Sequence, residues 1–539
     1  MKSRSTGFLA LAEELQSYIL SFLPYQDILR CTSVCKAIRQ TYTSSSELQY
    51  ITELGGQQLL PVPDTGLDNS NHTSISKRLQ LLRDTAHAWF KFDIHSSKTI
   101  SIPDQFQDAK TSLADGHLCL FNEDEQTAKI FPVLPKPSQQ KIERSWPSGS
   151  LCSIPYADSI EVFMDPAQNL IAIACMIADE SPGMDSDGMR LYIDIGVLDG
   201  DGDVHPEAAG KTLFLSGLPT CEDGLYTIEN WKLEGLGKHI AFRRSLLVHE
   251  GGYKFGEEIW FLQIWDWKHS TTSSCVLSDT IINPEVGESL DFCFLGNDRL
   301  LIVSKDLRLY SIEDLSQAPR LLACFLMPVS VTGIQCLLPM DDIAHSSQLQ
   351  MQTQRTMWTS DPKNRILSLI TRTRDATNSI TFIISTRIFF DPQAKVFDGM
   401  AEIPWERWGP LHARIFVHNW RCRVGVSGNR VLQAFPVTGV RAEDHLDGSD
   451  YKLHMMDFSP LAVERRQGLG IVVKEPSTIE IAESSETLTT CLPYVEVVSD
   501  RIFGADQVLD IWVDKNRIYL PKLNSEESDS VSSCVFNQV

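Results

Sequence analysis

The chain lacks several features that would place it in a common class of protein. Its 13 cysteines include no Cys-x-x-Cys pair, and an odd number of cysteines does not suit a scaffold held together by disulfides. A zinc ribbon and a thioredoxin-type redox motif are therefore excluded, and scattered cysteines are typical of a reducing cytosol or nucleus. The longest apolar run, residues 170–178, has about half the length that a membrane-spanning helix requires.

Basic charge is also scarce. The formal net charge is −22, whereas a protein that binds nucleic acid or an anionic membrane surface needs a basic face. The first residues are basic and then apolar, as in a signal peptide, but Glu13 and Glu14 interrupt the apolar run too early. We therefore expect a protein of the cytoplasm, the nucleus or both, with neither nucleic acid nor membrane among its partners.

Catalytic and ligand-binding motifs are incomplete wherever they begin. Asp199–Asp203 resembles the start of a calcium loop, but Val204 and Gly210 occupy the positions that need Gly and Glu. A partial zinc-protease motif has Tyr253 in place of its second histidine, and the glycines around Ser427 lack the spacing of a nucleophile elbow. The sequence therefore predicts no enzymatic activity, no catalytic residue, no metal site and no cofactor.

The first fifty residues contain more apolar side chains than a module of that size can bury. Leu11, Leu15, Ile19 and Phe22 recur one helical turn apart, and Pro24 ends this helix because proline has no N–H to donate. Two further short helices follow, each with apolar residues on one side. Since so small a domain rarely holds a sufficient core, the surplus of apolar residues predicts an interaction surface.

The order and spacing of these residues resemble the F-box consensus. Ala12 stands in place of its first proline, and Ile38 in place of its tryptophan. The residues that match it are Leu11, Glu14, Leu15, Ile19, Leu20, Leu23, Pro24, Asp27, Ile28, Leu29, Val34, Cys35 and Lys36. The resemblance implies an F-box at residues 8–50 that binds a Skp-type adaptor. The residues implied in adaptor binding are Leu11, Ala12, Glu14, Leu15, Ile19, Leu20, Leu23, Pro24, Ile28, Leu29, Val34 and Cys35.

The rest of the chain predicts a mainly β protein behind this α-helical module. Residues 51–91 have helical periodicity and are predicted to form a helical linker. From residue 92 to 520, short apolar runs alternate with Gly, Asp, Asn and Pro, which favours a β-propeller-like domain of about six to eight blades. Two packed β-sandwiches are the alternative. The Ser- and Glu-rich residues 521–539 are predicted to be a disordered tail.

A second resemblance extends over nearly the whole chain. Trp265-Asp266 is similar to the dipeptide of WD-repeat blades, and the body of the chain resembles the large F-box family of mushroom-forming fungi. The residues that carry the family resemblance are Leu48–Tyr50, Glu53-Leu54, Arg78-Leu79, Leu82, Ala88-Trp89, Asp165–Leu170, Leu492–Tyr494 and Asp514–Ile518. It implies an F-box fused to a propeller-like, WD-like domain whose client is generally unassigned.

The main functional hypothesis is a substrate-recognition subunit of a Skp–cullin–F-box ubiquitin ligase. The F-box would bind the adaptor and, through it, the cullin and RING subunits, while the β-domain would bind a client protein. Trp405, Arg407 and Trp408 are the candidate client-binding residues, because aromatic residues and Arg are enriched at binding hot spots. One alternative is an F-box scaffold that works without cullin. Another is a propeller-type hydrolase, because the carboxylate of Glu402 is close in sequence to both tryptophans.

Overall fold

A computed structural model gives the conformation of most of the chain, and about half of the described residues are in strands and one fifth in helices. The residues that the structure describes are 7–62, 73–91, 96–106, 109–133, 141–153, 157–177, 190–200, 203–216, 225–249, 258–281, 290–338, 357–372, 378–390, 402–418, 423–437, 450–464, 470–480, 487–504, 510–514, 517–522 and 533–538.

The N-terminal part of the chain is helical. Its helices are α1 (Glu13–Ser21), α2 (Tyr25–Val34), α3 (Lys36–Ser44), α4 (Ser46–Gly56) and α5 (Ile75–Lys91). Pro24 lies between α1 and α2, as its missing N–H predicts. Ser45 precedes α4, and its hydroxyl accepts a hydrogen bond from the Leu48 amide at 3.3 Å. The buried residues at the centre of α1 to α4 are Leu20, Ile28, Ile38 and Leu48.

Antiparallel sheets of four main strands form most of the remaining chain. The strands of the first sheet are β3 (Lys110–Ala114), β4 (His117–Asn122), β5 (Thr127–Pro132) and β6 (Arg144–Trp146). Those of the second are β7 (Asp158–Asp165), β8 (Leu170–Ile177), β9 (Arg190–Val197) and β10 (Thr212–Phe214). Those of the third are β11 (Leu225–Leu236), β12 (His239–His249), β13 (Glu258–Asp266) and β14 (Val276–Ile281).

Three further sheets follow the same plan. The fourth contains β15 (Asp291–Gly296), β16 (Arg299–Val303), β17 (Asp306–Ser311) and β18 (Arg320–Leu326), with β23 (Glu402–Ile403) added parallel to β18. The fifth contains β19 (Thr332–Leu337), β21 (Ile366–Arg372), β22 (Ser379–Ser385) and β24 (Ala413–His418). The sixth contains β25 (Val424–Ser427), β26 (Arg430–Pro436), β27 (Tyr451–Asp457) and β31 (Tyr494–Phe503), with β28 (Ile471–Val473) at its edge.

The two ends of the β-rich region meet in one more sheet. Its strands, in spatial order, are β32 (Trp512–Asp514), β33 (Arg517–Lys522), β34 (Ser533–Gln538) and β2 (Ser96–Ser101). Each sheet contacts the next, and β32 contacts β3 of the first sheet, so the sheets close into a ring. Buried apolar clusters fill the spaces between neighbouring sheets, which is why most strands are apolar on both faces. This arrangement is a β-propeller.

The propeller confirms most of the strands that the sequence predicted. The predicted strands between residues 289 and 312 correspond to β15, β16 and β17, which pair consecutively within residues 291–311. Trp265-Asp266 ends β13, the third strand of its sheet. Two short helices, α6 (Trp405–His412) and α7 (Pro460–Glu464), interrupt the strands. Cys152 and Cys175 are joined by a disulfide, which their separation of 23 residues in sequence did not indicate.

Two boundary predictions need correction. The predicted disordered tail includes residues 533–538, which pair with β33 and β2 as strand β34. The average polarity of the tail concealed this short strand, while residues 523–532 and 539 lie outside the described residues. The predicted helical linker also contains β1 (Leu59–Pro61), which pairs with β20 (Trp358–Ser360) of the propeller region.

Close contacts attach the helical module to the propeller. A Cβ atom at Gly56 would lie 2.7 Å from the Leu461 Cβ of α7, so only glycine allows α4 to approach α7 this closely. Trp89 at the end of α5 is fully buried against the sixth and seventh sheets. The Tyr50 hydroxyl donates to the Met357 carbonyl at 3.5 Å. Together with the pairing of β1 and β20, these contacts hold the module in one orientation relative to the ring.

Candidate functional site

An exposed apolar surface on α1, α2 and the residues before α1, here called the apolar face, is the first candidate site. Large apolar side chains are exposed along the start of the chain and on two helices. They are Leu9, Leu11, Leu15, Tyr18, Ile19, Phe22 and Val34. The exposed fraction reaches 70% at Phe22 and 74% at Val34. So dense a group of exposed apolar residues on one small module marks an interaction site.

The apolar face exists because α1 is apolar around more than one side. Leu20 points into the small core with Ile28, while Leu15 and Ile19 lie on the outer side of the same helix. The side-chain amide of the buried Gln16 donates to the Leu11 carbonyl at 2.8 Å, across the turn that begins α1. These local bonds fix the start of α1 and therefore the position of Leu11 and Leu15.

The structure sorts the twelve residues that sequence analysis implies in adaptor binding. Seven are exposed, namely Leu11, Ala12, Glu14, Leu15, Ile19, Pro24 and Val34. Three are half-buried, namely Leu23, Leu29 and Cys35. Leu20 and Ile28 are only 3% and 0% exposed, so they support the apolar face from the core and present no surface themselves.

Sequence reasoning omitted three exposed apolar residues from the binding set. Leu9 precedes α1, and Tyr18 and Phe22 form an edge-to-face aromatic pair with ring centroids 4.9 Å apart. Their spacing of four residues places the two rings on one side of α1. That spacing was the available signal, but the consensus does not include either position.

The client-binding prediction is corrected by the structure. Trp405 and Trp408 lie on α6 and are only 6% and 3% exposed, with their rings 4.6 Å apart in an edge-to-face contact. The Trp408 indole N–H donates to the Leu326 carbonyl at 3.2 Å. Both tryptophans are therefore core residues between the fourth and fifth sheets, which a client could not reach, and of the three predicted residues only Arg407 is exposed.

A cavity of about 530 Å³ at the centre of the ring, here called the channel, is the second candidate site. It is lined by the inner strands β3, β7, β11, β19 and β25 together with residues of β32. Its charged lining includes Glu161, Lys232 and Glu234. The Lys232 ammonium lies 2.6 Å from an Asp291 carboxylate oxygen and 2.8 Å from a Glu234 carboxylate oxygen.

Burial in the channel shifts the ionisation of these groups. Burial raises the pKa of the Glu161 and Glu234 carboxyls, although nearby Lys110 and Lys232, respectively, oppose the shift. Burial alone would lower the pKa of Lys232, but Glu234 and Asp291 outweigh it and the pKa is raised. The charged form of Lys232 is therefore stabilised in the channel, whereas the charged forms of Glu161 and Glu234 are destabilised.

The partial catalytic motifs do not assemble into a site in the described residues. Ser427 ends β25 and is buried beside a hairpin turn at Gly428, whose φ of 57° suits glycine. Tyr253 and residues 201–202 of the partial calcium loop lie outside the described residues. Within the described ranges, no group of three metal-ligating residues comes together, and no helix is long and apolar enough to cross a membrane.

Comparisons with known proteins identify the helical module. A family model of the F-box domain matches residues 8–45, and no curated protein matches the chain. The WD40 domain of SCAP from fission yeast is similar over 82% of this chain and 98% of its own, at 8% identity and a TM-score of 0.35. Prolyl oligopeptidase B from Galerina marginata is similar over 88% of this chain and 62% of its own, at 9% identity and a TM-score of 0.29. Scores this low support no argument about function.

The chain therefore carries an F-box on its N-terminal helices, followed by a β-propeller. An F-box in general binds a Skp-type adaptor, and the apolar face is the exposed surface of this F-box. An F-box joined to a propeller fits the general organisation of a substrate receptor.

Proposed function

We propose that this chain is the substrate-recognition subunit of a Skp–cullin–F-box ubiquitin ligase. The observation that carries the proposal is the F-box at residues 8–45 with Leu11, Leu15 and Ile19 exposed on its surface. The adaptor covers this apolar face and brings the cullin and RING subunits with it. The propeller presents a client protein to the assembled ligase. The chain acts in the cytoplasm, the nucleus or both, and is of the kind found in mushroom-forming fungi.

The attachment of the module to the propeller supports this function. A receptor accelerates ubiquitin transfer by holding the client close to the ligase's charged carrier enzyme, and proximity of this kind requires a defined geometry. The close approach of Gly56 to Leu461, the burial of Trp89 and the β1–β20 pairing supply that geometry. A flexible linker between the two parts would spread the client over many positions, which lowers its effective concentration.

Co-purification of the full chain from its native cells tests the proposal. We expect the Skp-type adaptor and cullin to co-purify with the wild-type chain, and both to be lost together in the Leu15→Asp variant. Adaptor without cullin would replace the proposal with a cullin-independent scaffold. If neither partner co-purified, and the chain turned over an ester or glycoside in a reaction that Glu402→Gln abolished, the chain would instead be a hydrolase.

A further inference from the structure

The polar groups of the channel show which charge a ligand must carry. An ammonium group has three N–H donors. Those of Lys232 are matched by three acceptors, since its nitrogen lies within 3.1 Å of oxygens of Asp291, Glu234 and the Phe292 carbonyl. The second carboxylate oxygen of Asp291 accepts a hydrogen bond from the Cys336 amide at 2.7 Å. The lysine in the channel lining therefore has no donor left for an anionic ligand.

In the channel lining and directly behind it, carboxylates outnumber cations. Around Glu234, Lys232 and Arg243 face the carboxylates of Glu234, Asp291 and Glu258. This group holds three acidic side chains against two basic ones.

A second group repeats the imbalance on the neighbouring inner strand. Lys110 lies 2.7 Å from Glu123 but 3.7 Å from Glu161, and it also donates to the Ile160 carbonyl at 2.8 Å. Glu161 is therefore the weakly paired member of a group with two carboxylates and one cation. Strand β7, which carries Glu161, contacts β11, which carries Glu234, and a Cβ at Gly235 would lie only 2.4 Å from the Phe163 ring.

One part of the channel wall is apolar. It is lined by Leu337 of β19, Val424 and Val426 of β25, Ile511 just before β32 and Val513 of β32. A volume of about 530 Å³ lies within the range of roughly 300–1,000 Å³ that is usual for ligand pockets in proteins. A ligand that suits this cavity has an aliphatic body and a positively charged end, which is the chemistry of a long basic side chain.

We propose that the channel binds a lysine or arginine side chain of the client protein, with its charged end at Glu161 and Glu234 and its aliphatic stem along the apolar wall. This inference deepens the proposed receptor function and rests on it for the identity of the client as a protein. Pairing with the ligand's cation neutralises the surplus carboxylates and offsets the cost of their burial.

Fluorescence anisotropy with a labelled ten-residue peptide of alternating leucine and lysine tests the proposal on the full chain. The matched probe has glutamine in place of every lysine, so that apolar binding elsewhere is subtracted. We expect the lysine peptide to bind and the glutamine peptide to bind at least tenfold more weakly. Glu161→Gln should weaken the lysine peptide about tenfold, whereas Glu313→Gln, which removes an exposed carboxylate of the propeller, should not change it.

A second variant keeps the test decisive if Glu161→Gln disturbs folding. Thr111→Lys places a tethered cation at the exposed edge of the channel and should weaken the lysine peptide without changing the melting temperature. Equal binding of both peptides, or no effect of either variant, would overturn the proposal. Spermidine that binds as tightly as the lysine peptide would also overturn it, because the site would then serve a free polyamine.

The adaptor separates this inference from the proposed function. Glu161→Gln should co-purify with the Skp-type adaptor as the wild-type chain does, because the apolar face is unchanged. Leu15→Asp should lose the adaptor and still bind the lysine peptide. A wild-type chain that does not bind the adaptor would contradict the receptor function. Failure of the peptide assay alone would contradict only the proposal that the channel binds the client.

Discussion

The F-box module and the propeller bury their apolar residues in opposite ways. In the module, Leu15, Phe22 and Val34 are 51%, 70% and 74% exposed, because α1 to α4 enclose only a small core. In the propeller, each sheet lies between two others, and apolar clusters such as the one around Trp405 and Trp408 fill the gaps. The module therefore needs a partner to cover its exposed apolar residues, whereas the sheets of the propeller bury theirs against one another.

The difference also separates the kinds of contact that each part can make. The apolar face binds by burying hydrophobic surface, which is favourable with little regard to charge. The channel of the propeller has a mixed lining that includes Glu161 and Glu234, so a ligand bound there would be selected by electrostatics. The apolar face therefore suits a single constant adaptor, whereas the channel suits the selection of a client that we propose.

A charge placed on the apolar face should produce the largest effect. We expect Leu15→Asp to weaken adaptor binding at least a hundredfold, because an aspartate without a partner would have to enter a dry interface. The same substitution at Leu321, a 38% exposed residue of β18, should leave adaptor binding unchanged. Surface plasmon resonance with immobilised adaptor measures both. Equal affinities for the two variants would show that the apolar face is not the binding surface.

Removal of an aromatic ring should lower the free energy of unfolding much more in the propeller than in the module. We expect Trp408→Ala to lower the free energy of unfolding by about 3–5 kcal/mol, since it leaves a cavity between two sheets and removes the donor to the Leu326 carbonyl. Phe22→Ala should change it by less than about 0.5 kcal/mol, because that ring is exposed without the adaptor. Urea denaturation measures the unfolding free energy of both variants. A similar decrease in the two would contradict the burial of α6.

Acid should weaken the propeller through a buried histidine, whereas residues 8–56 of the module contain no histidine. Burial lowers the pKa of His418 to about 4, while an unfolded histidine has a pKa of about 6.5. His418 is therefore neutral in the native state, and its contribution to stability is complete above pH 6.5 and is lost progressively as the pH falls toward 4. Between pH 7.5 and 5 the loss should be about 2 kcal/mol.

The His418→Gln variant isolates this contribution. Its unfolding free energy should fall by about 2 kcal/mol less than that of the wild type between the two pH values. His269→Gln is the matched control, because this side chain is 74% exposed. A wild-type pH dependence retained in full by His418→Gln would assign the acid sensitivity to other groups.

Much of this fold could be predicted because its signals are local. Strands such as β8, β13 and β15 are short apolar runs between turn residues, and the F-box follows a consensus with fixed spacing. The exposed Leu11, Leu15 and Ile19 followed from the same spacing. The surplus of apolar residues in so short a module correctly indicated that some of them had to remain at the surface.

What could not be predicted depends on contacts between distant residues. Trp405 and Trp408 resemble binding residues in sequence, and only the fourth and fifth sheets around them make them core. Leu20 and Leu15 occupy one helix, and only the packing of Ile28 against Leu20 decides which of them faces inward. The channel is assembled from strands that are hundreds of residues apart, so Glu161 and Glu234 gave no signal in sequence.

The smallest predicted effect concerns the helix that joins the two regions. Ser45 caps α4 by accepting the Leu48 amide proton at 3.3 Å, and the Ser17 hydroxyl of α1 donates to it at 2.8 Å. Ser45→Ala removes both contacts and should destabilise the module by about 1 kcal/mol, while the propeller keeps its stability. Ser45→Asp should retain most of the stability, because its carboxylate is also an acceptor near the positive end of the helix dipole.

Amide hydrogen exchange in α4 measures the difference without unfolding the ring. Faster exchange should be confined to α4 in Ser45→Ala and should disappear when adaptor covers the apolar face. Exchange that rises equally in Ser45→Asp would show that the cap at residue 45 does not stabilise α4. Exchange that spreads into β20 would mean that the module and the propeller unfold as one cooperative unit.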